Sequence, residues 1–239
     1  MSLTSSSATA DRSTVKLPRS FYDRPTLRVA GDLLGKVLVH DRRGVRTAGI
    51  IVEVEAYIGE SDPACHAAPG PTRRNEPLYG PPGHAYVYLN YGIHCLVNVV
   101  TEPLGSPAAV LVRSLDAIEG TDVMRRRRAR ATKGRRTRAD VSALPQHELC
   151  RGPGNLTMAM GITLLENRLD LLGDRLFVED RGIGLGPIAW GPRIGINVGT
   201  DRPWRAYVAH HPAVCDPRAG VSSGRATRLS PSGWADGRS

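Results

Sequence analysis

Apolar residues in the first half of the chain recur at every second position, in short runs broken by turn sequences, and this periodicity restricts the possible folds most. Lys36-Val37-Leu38-Val39-His40 and the stretch from Thr47 to Ile58 read as two strands, and Asp41-Arg42-Arg43-Gly44 between them reads as the turn of an antiparallel pair. Further strand-like runs are Ala85 to Leu89, Ile93 to Val100, Ala108 to Ser114, Arg175 to Glu179, Ile188 to Val198 and Trp204 to Val208. Helical spacing is confined to Pro25 to Leu34, with Gly35 as its C-cap, and to Ile118 to Arg130, Leu144 to Cys150 and Pro153 to Met160. Strands close together early on, helices at the margins and no repeating strand-helix-strand register predict an α+β domain with a mostly antiparallel sheet.

Both ends are poor in large apolar groups, so the folded domain is placed at residues 16–215, between weakly ordered tails at 1–15 and 216–239. No apolar run approaches the roughly 20 residues needed to span a bilayer. No secretory signal is readable at Met1-Ser2-Leu3-Thr4, which predicts a cytoplasmic or, in a nucleated cell, nuclear protein. Cysteines at 65, 95, 150 and 215 share no CxxC spacing and are expected as free thiols. The seven histidines form no HxxxH pair and no zinc-finger spacing, so no metal and no cofactor is expected.

The net charge of +9 is one local feature: Arg125 to Arg138 holds nine basic residues and no acidic one, and the rest of the chain is neutral. Such a run suits a polyanion contact, and equally a solvated loop.

Three units carry candidate chemistry. In Val52-Glu53-Val54-Glu55-Ala56-Tyr57-Ile58, alternation predicts Val52, Val54, Ala56 and Ile58 on a core face, with Glu53, Glu55 and Tyr57 opposite. The loop Gly59 to His66 that follows would bring an imidazole near those carboxylates, although a solvated outer face would look the same. In Tyr86-Val87-Tyr88-Leu89-Asn90-Tyr91-Gly92, a tight hairpin is expected with Tyr91 near its tip, as a stacking platform or packed on a neighbouring loop. Ala109-Val110-Leu111-Val112-Arg113 is a buried-looking strand that ends in an arginine able to orient a carboxylate or a water.

Together with Thr72-Arg73-Arg74-Asn75, Asn98, Glu148-Leu149-Cys150-Arg151-Gly152-Pro153 and Arg193-Ile194-Gly195-Ile196, these units resemble the alkyladenine (3-methyladenine or methylpurine) DNA glycosylase family, from about Leu17 to Val208. The resemblance implies a single domain around a curved antiparallel sheet with a protruding β-hairpin and no helix-hairpin-helix module. It implies base-excision repair of double-stranded DNA: hydrolysis of the bond between a damaged purine and deoxyribose. It assigns activation of the attacking water to Glu55, with Arg113 and the backbone carbonyl of Ile194 holding that water. Tyr57, His66 and Tyr88 would contact the flipped purine, and Asn98 would exclude the amino group of guanine. Tyr91 would wedge into the duplex, with Arg74 and Asn75 at the DNA. Cationic 3-methyladenine and 7-methylguanine are the implied substrates, with neutral hypoxanthine and ethenoadenine less secure. No lysine lies in these motifs, so a monofunctional enzyme without lyase activity is expected, acting as a monomer.

His94, where vertebrate relatives would be expected to carry an aromatic, and Glu76-Pro77-Leu78, in place of a more basic loop, depart from the family pattern. Two rival readings stand beside the resemblance. A non-catalytic nucleic-acid binding module would explain the basic charge and the tyrosines but not the Glu-x-Glu-Ala-Tyr strand. A carbohydrate glycosidase using Glu53 and Glu55 would need the two carboxylates to flank a substrate, which residues two apart on one strand do not.

Overall fold

The computed structural model describes residues 15–131, 137, 139–140 and 143–215. Among the described residues, nine strands and four α-helices with defined bounds follow one another as β1 (Val15–Lys16), α1 (Arg19–Tyr22), α2 (Thr26–Leu33), β2 (Val37–Arg42), β3 (Val45–Ile58), β4 (Ala85–Asn90), β5 (His94–Val100), β6 (Ala108–Glu119), α3 (Thr121–Ala131), α4 (Pro153–Met160), β7 (Leu176–Asp180), β8 (Ile188–Gly191) and β9 (Arg205–Val208). All strand pairings are antiparallel, in the order β1-β7-β2-β3-β6-β5-β4, as the α+β reading expects. The expected tails lie outside the described residues, except for Val15, which pairs with Asp180.

The long strand β3 organises the sheet. Along one edge it pairs with β6 from Ala48 to Ile58. Its other edge is divided: residues 45–50 pair with β2, and Glu53 to Glu55 pair with β9. The helices α2, α3 and α4 cover one face, where Val29, Leu33, Met124, Leu156 and Met160 meet Ile51, Val54, Val110, Val112 and Leu115 in the main core. Burying such side chains stabilises by about 1.5–3 kcal/mol each. The opposite face carries smaller apolar clusters, such as Val37, Val39, Ala48 and Phe177, beside a region of polar and aromatic side chains.

The β3–β6 ladder shifts register between Ala48 and Gly49, where Ile118 is left extra on β6, and again around Glu53, where strict alternation on β3 fails. Ile51 pairs with Leu115 and Glu53 with Ser114, leaving Val52 as an extra residue; one step on, Val54 pairs with Val112, leaving Arg113 extra on β6. Each bulge turns two consecutive side chains to one side of the sheet. Val52 therefore does not share the core of Val54 and Ala56 as alternation predicts; it packs with Tyr207, Val208 and Ala213 on the other side.

Other differences have local causes. The expected strand Ile188 to Val198 stops at Gly191, because Pro192 has no N–H for a ladder and Gly195 adopts φ +78°. Leu144 to Cys150 forms only the 3-10 turn Gln146–Glu148 after Pro145. Ile118 belongs to β6, and α3 begins only after Gly120. Two arginines of the basic run hold neighbouring segments: Arg127 Nη1 donates to the Ala159 and Met160 carbonyls at the C-terminal end of α4 (3.2 and 2.7 Å) and Arg128 Nη1 to that of Glu148 (3.2 Å). Lys133, Arg135, Arg136 and Arg138 lie outside the described residues.

Gly120, at φ +72°, joins β6 to α3, and a Cβ there would stand 2.5 Å from the Arg46 carbonyl oxygen. Gly44, at φ +75°, has nothing within 4 Å. Gly44→Ala is expected to cost about 1–2 kcal/mol, from backbone strain alone. Gly120→Ala is expected to cost that strain and a further ~1–3 kcal/mol from the clash, a difference that urea denaturation of the two variants measures.

A candidate active site beneath the hairpin

The sheet face away from the helices carries a cavity of about 420 Å³ whose lining includes Tyr57, His66, Tyr88, Asn98, Arg113 and Ile194. Strand register explains the gathering. Asn98 pairs with both Tyr86 and Leu111, and Leu111 pairs with Glu55, so alternate residues of four adjacent strands face one side.

Glu55 is fully buried below this cavity and is not among its lining residues. Three groups that do line it hold the carboxylate. Arg113 Nη1 lies 3.1 Å from Oε1, the Ile194 N–H donates to the same oxygen at 2.7 Å, and the Tyr57 hydroxyl donates to Oε2 at 2.8 Å. The contact that Ile194 makes with Glu55 is thus through its N–H, whereas the family resemblance assigned a part to its carbonyl. Burial, reinforced by the Glu55 charge, pushes the Tyr57 phenol far above its ordinary range, so it stays a donor. For Arg113, burial alone would depress the guanidinium, but the carboxylates, Glu55 above all, outweigh it and keep it protonated.

Glu53, expected beside Glu55, is also fully buried but is engaged elsewhere. Its Oε1 accepts from Arg205 Nη1 (3.0 Å) and Arg113 Nε (3.3 Å), and its Oε2 from the Ser114 hydroxyl (2.9 Å) and the Cys215 N–H (2.9 Å). Burial alone would raise its pKa; Arg113, Cys215 and Arg205 together hold it below the usual carboxylate value. A carboxylate with four donors is unsuited to act as the second acid of a carbohydrate glycosidase.

The aromatic wall is formed by His66 and Tyr88, edge to face with ring centroids 4.4 Å apart, and by Tyr86, whose hydroxyl is 2.8 Å from His66 Nδ1. Burial, with Arg74 nearby, lowers the His66 pKa, which favours the neutral ring. Asn98 is buried with its amide pinned to the Tyr86 carbonyl at 2.9 Å. At the hairpin tip, Tyr91 takes φ +48° and Gly92 φ +68°, and Tyr91 is 88% exposed with no core to reach. Arg74 is exposed, with its guanidinium 5.9 Å from the Tyr88 ring centre.

Asn75 differs from Arg74. It is buried, and its amide nitrogen donates to the carbonyls of His66 (2.7 Å) and Gly70 (2.8 Å) while its oxygen accepts from the Thr72 N–H (2.6 Å). It braces the loop that presents His66. Sequence reading also passed over the buried pair Arg193–Asp62. Arg193 Nη2 donates to Asp62 Oδ1 at 2.8 Å, and its guanidinium stacks 4.7 Å from the Tyr57 ring centre, immediately before Ile194. An Arg directly preceding Ile194 was visible; its partner 131 residues away was not. Among the described residues no group of three or more His, Cys, Asp or Glu side chains is arranged to hold a metal.

Asn75→Ala removes three hydrogen bonds inside the loop, so it is expected to lower stability by about 1–3 kcal/mol in urea denaturation without DNA. A residue acting only at the DNA surface would leave free-protein stability unchanged.

A model of the methylpurine-DNA glycosylase family matches residues 20–212. A protein of Methanocella arvoryzae named "Putative 3-methyladenine DNA glycosylase" is 49% identical over 202 residues, covering 83% of this chain and 94% of the relative. Proteins of the same name from Chlorobium phaeobacteroides and Burkholderia lata are each 44% identical, covering 86% and 84% of this chain and 98% and 91% of their own lengths. The chain belongs to the methylpurine-DNA glycosylase family and is a DNA glycosylase, a hydrolase of base excision repair.

Proposed function

We propose that this enzyme flips a damaged purine out of double-stranded DNA into the cavity beside Glu55 and hydrolyses its N-glycosidic bond with a water that Glu55 deprotonates. The carrying observation is the Glu55 carboxylate, buried beneath the cavity and held by Arg113, the Ile194 N–H and the Tyr57 hydroxyl. Cleavage leaves positive charge on the sugar as the C1′–N bond breaks and its electron pair departs with the purine. A fixed carboxylate stabilises that charge and takes the proton as the water oxygen bonds to C1′. The products are a free base and an abasic site, without strand cleavage.

A stacked base is out of reach of any such group, so the nucleotide leaves the duplex at a cost of a few kcal/mol, least for a damaged base. Tyr91, exposed at the hairpin tip, fills the vacated space, and Arg74, exposed near the Tyr88 ring, meets the DNA backbone. Asn75 contributes through the loop it braces. Tyr57, His66 and Tyr88 stack on and read the flipped base, and Asn98, with its amide fixed, crowds the amino group of guanine. The relatives' names point to 3-methyladenine. Cationic 3-methyladenine and 7-methylguanine leave without a general acid, whereas hypoxanthine and ethenoadenine need help from the pocket. No metal or cofactor enters this chemistry. The enzyme works as a monomer wherever DNA is kept, the nucleoid or the nucleus, and no described helix is long and apolar enough to cross a membrane.

Single-turnover release of 7-methylguanine, hypoxanthine and ethenoadenine from duplex oligonucleotides tests the reading. Wild type is expected to release base without added metal, and Glu55→Gln to slow release by roughly 10²–10⁴-fold with DNA binding retained. Full activity in the variant would move the base catalyst elsewhere. Binding without release from any lesion would favour a non-catalytic module, and a borohydride-trapped adduct would overturn the water mechanism.

A further inference from the structure

The family machinery does not account for Glu53, a second buried carboxylate two residues from Glu55. Its surroundings follow from the paired bulges. Because Arg113 is the extra residue on β6, Arg113 and Ser114 both turn toward the face that Glu53 occupies. On the opposite edge of β3, Glu53 pairs with Tyr207 of β9, and Arg205 from the same strand reaches its Oε1. Cys215 closes the ring: its N–H donates to Glu53 Oε2, and its sulfur lies 3.2 Å from Ser114 Oγ and 3.7 Å from Arg113 Nη2.

Arg113 is thereby held by two carboxylates, beside its weaker contact with the Cys215 sulfur. Nε is bound to Glu53 and Nη1 to Glu55, at 3.3 and 3.1 Å. A guanidinium held at Glu55 alone could swing about its own side chain; the second contact removes that freedom and fixes the planar fork. We propose that Glu53 is a positioning residue for the reaction, locking Arg113 in the orientation that presents it to Glu55. This rests on the role given to Glu55 and Arg113 under the proposed function.

The two oxygens of Glu53 face two pairs of donors, and glutamine matches only one pair. Whichever way its amide turns, its NH₂ faces either Arg113 Nε with Arg205 or the Cys215 N–H with Ser114. Glu53→Gln in the full chain is therefore expected to slow single-turnover release of 7-methylguanine from a duplex roughly 10- to 100-fold, as a small misplacement near the reacting atoms does. DNA affinity should stay within about twofold, a difference of only ~0.4 kcal/mol.

The pH profile separates positioning from plain loss of structure. The charged and titratable groups facing Glu55 are Arg113, Tyr57, Tyr88 and Arg193, with Glu53 behind Arg113. If Glu53→Gln lets Arg113 drift, Glu55 loses a nearby cation, its protonated form gains, and the acid limb of the rate profile moves to higher pH. If Arg113 stays in place, the only change near Glu55 is the loss of a like charge, and the limb moves to lower pH or stays. Expected is the upward shift, and in an Arg113→Met background Glu53→Gln should add less than about twofold.

Ser114→Ala removes one donor to Glu53 and keeps every charge, so it reports even if Glu53→Gln folds poorly. Its expected effect is a smaller slowing, roughly two- to fivefold, with the same upward shift. Slow release by Arg113→Met with full rate in both Glu53→Gln and Ser114→Ala would overturn the proposal alone. Full rate in Arg113→Met would overturn the role of Arg113, and the proposal with it.

Discussion

The buried contact between Arg113 and the carboxylates of Glu53 and Glu55 is the constraint from which the site is built. Two acidic side chains two positions apart on a central strand would ordinarily face water, because an ionised carboxylate is expensive to bury without a partner. Here both are fully buried, and one arginine from the neighbouring strand answers both. Arg205 completes the neutralisation of Glu53, with the Ser114 hydroxyl and Cys215 N–H as neutral donors, which leaves Arg113 and neutral donors to hold Glu55. The two carboxylates are alike in chemistry and burial and differ in where their partners come from.

That contact depends on backbone irregularity rather than on any residue type. Without the extra residues Val52 and Arg113, alternation continued from Ile51 would turn Glu53 into the helix-covered core, and alternation continued from Val112 would turn Ser114 there. The bulges also accommodate the change of neighbour on the other edge of β3, from β2 to β9. The loop between β8 and β9 carries Arg193 and Ile194, and the Arg193–Asp62 pair ties it to the loop after β3. One strand thus has its two carboxylates served from both edges.

The cavity's rigid wall and its exposed hairpin serve different ends. His66, Tyr86, Tyr88 and Asn98 are cross-linked by hydrogen bonds and ring contacts, and Asn75 fixes the loop that carries His66. Selection between similar bases needs such fixed groups, since a donor that can turn away excludes little. Tyr91, by contrast, stands clear of the protein on a short turn in which two successive residues have positive φ. Its ring gains contact only when something is brought against it.

Much of this was legible before any coordinates. Period-two patterning specified the antiparallel sheet, Gly35 and Pro153 bounded α2 and α4, and the order of short motifs pointed to the family. These are local properties, set by backbone conformation and side-chain type over a few residues. The failures were non-local. Alternation put Val52 in the wrong layer because a bulge depends on the partner strand. It did not separate the duties of Glu53 and Glu55, because Arg205, Ser114 and Cys215 approach from 61 to 162 positions away. The basic run suited a polyanion contact and a solvated loop equally, and its spacing gave no sign that Arg127 and Arg128 are held on carbonyls of neighbouring segments. Asn75 sits in an exposed-looking sequence but turns inward to satisfy three backbone groups. The sequence by itself determined the kinds of groups available and the elements that carry them. Tertiary structure decided which of them meet, because a buried charge is satisfied only by the partner that the folded sheet brings to it.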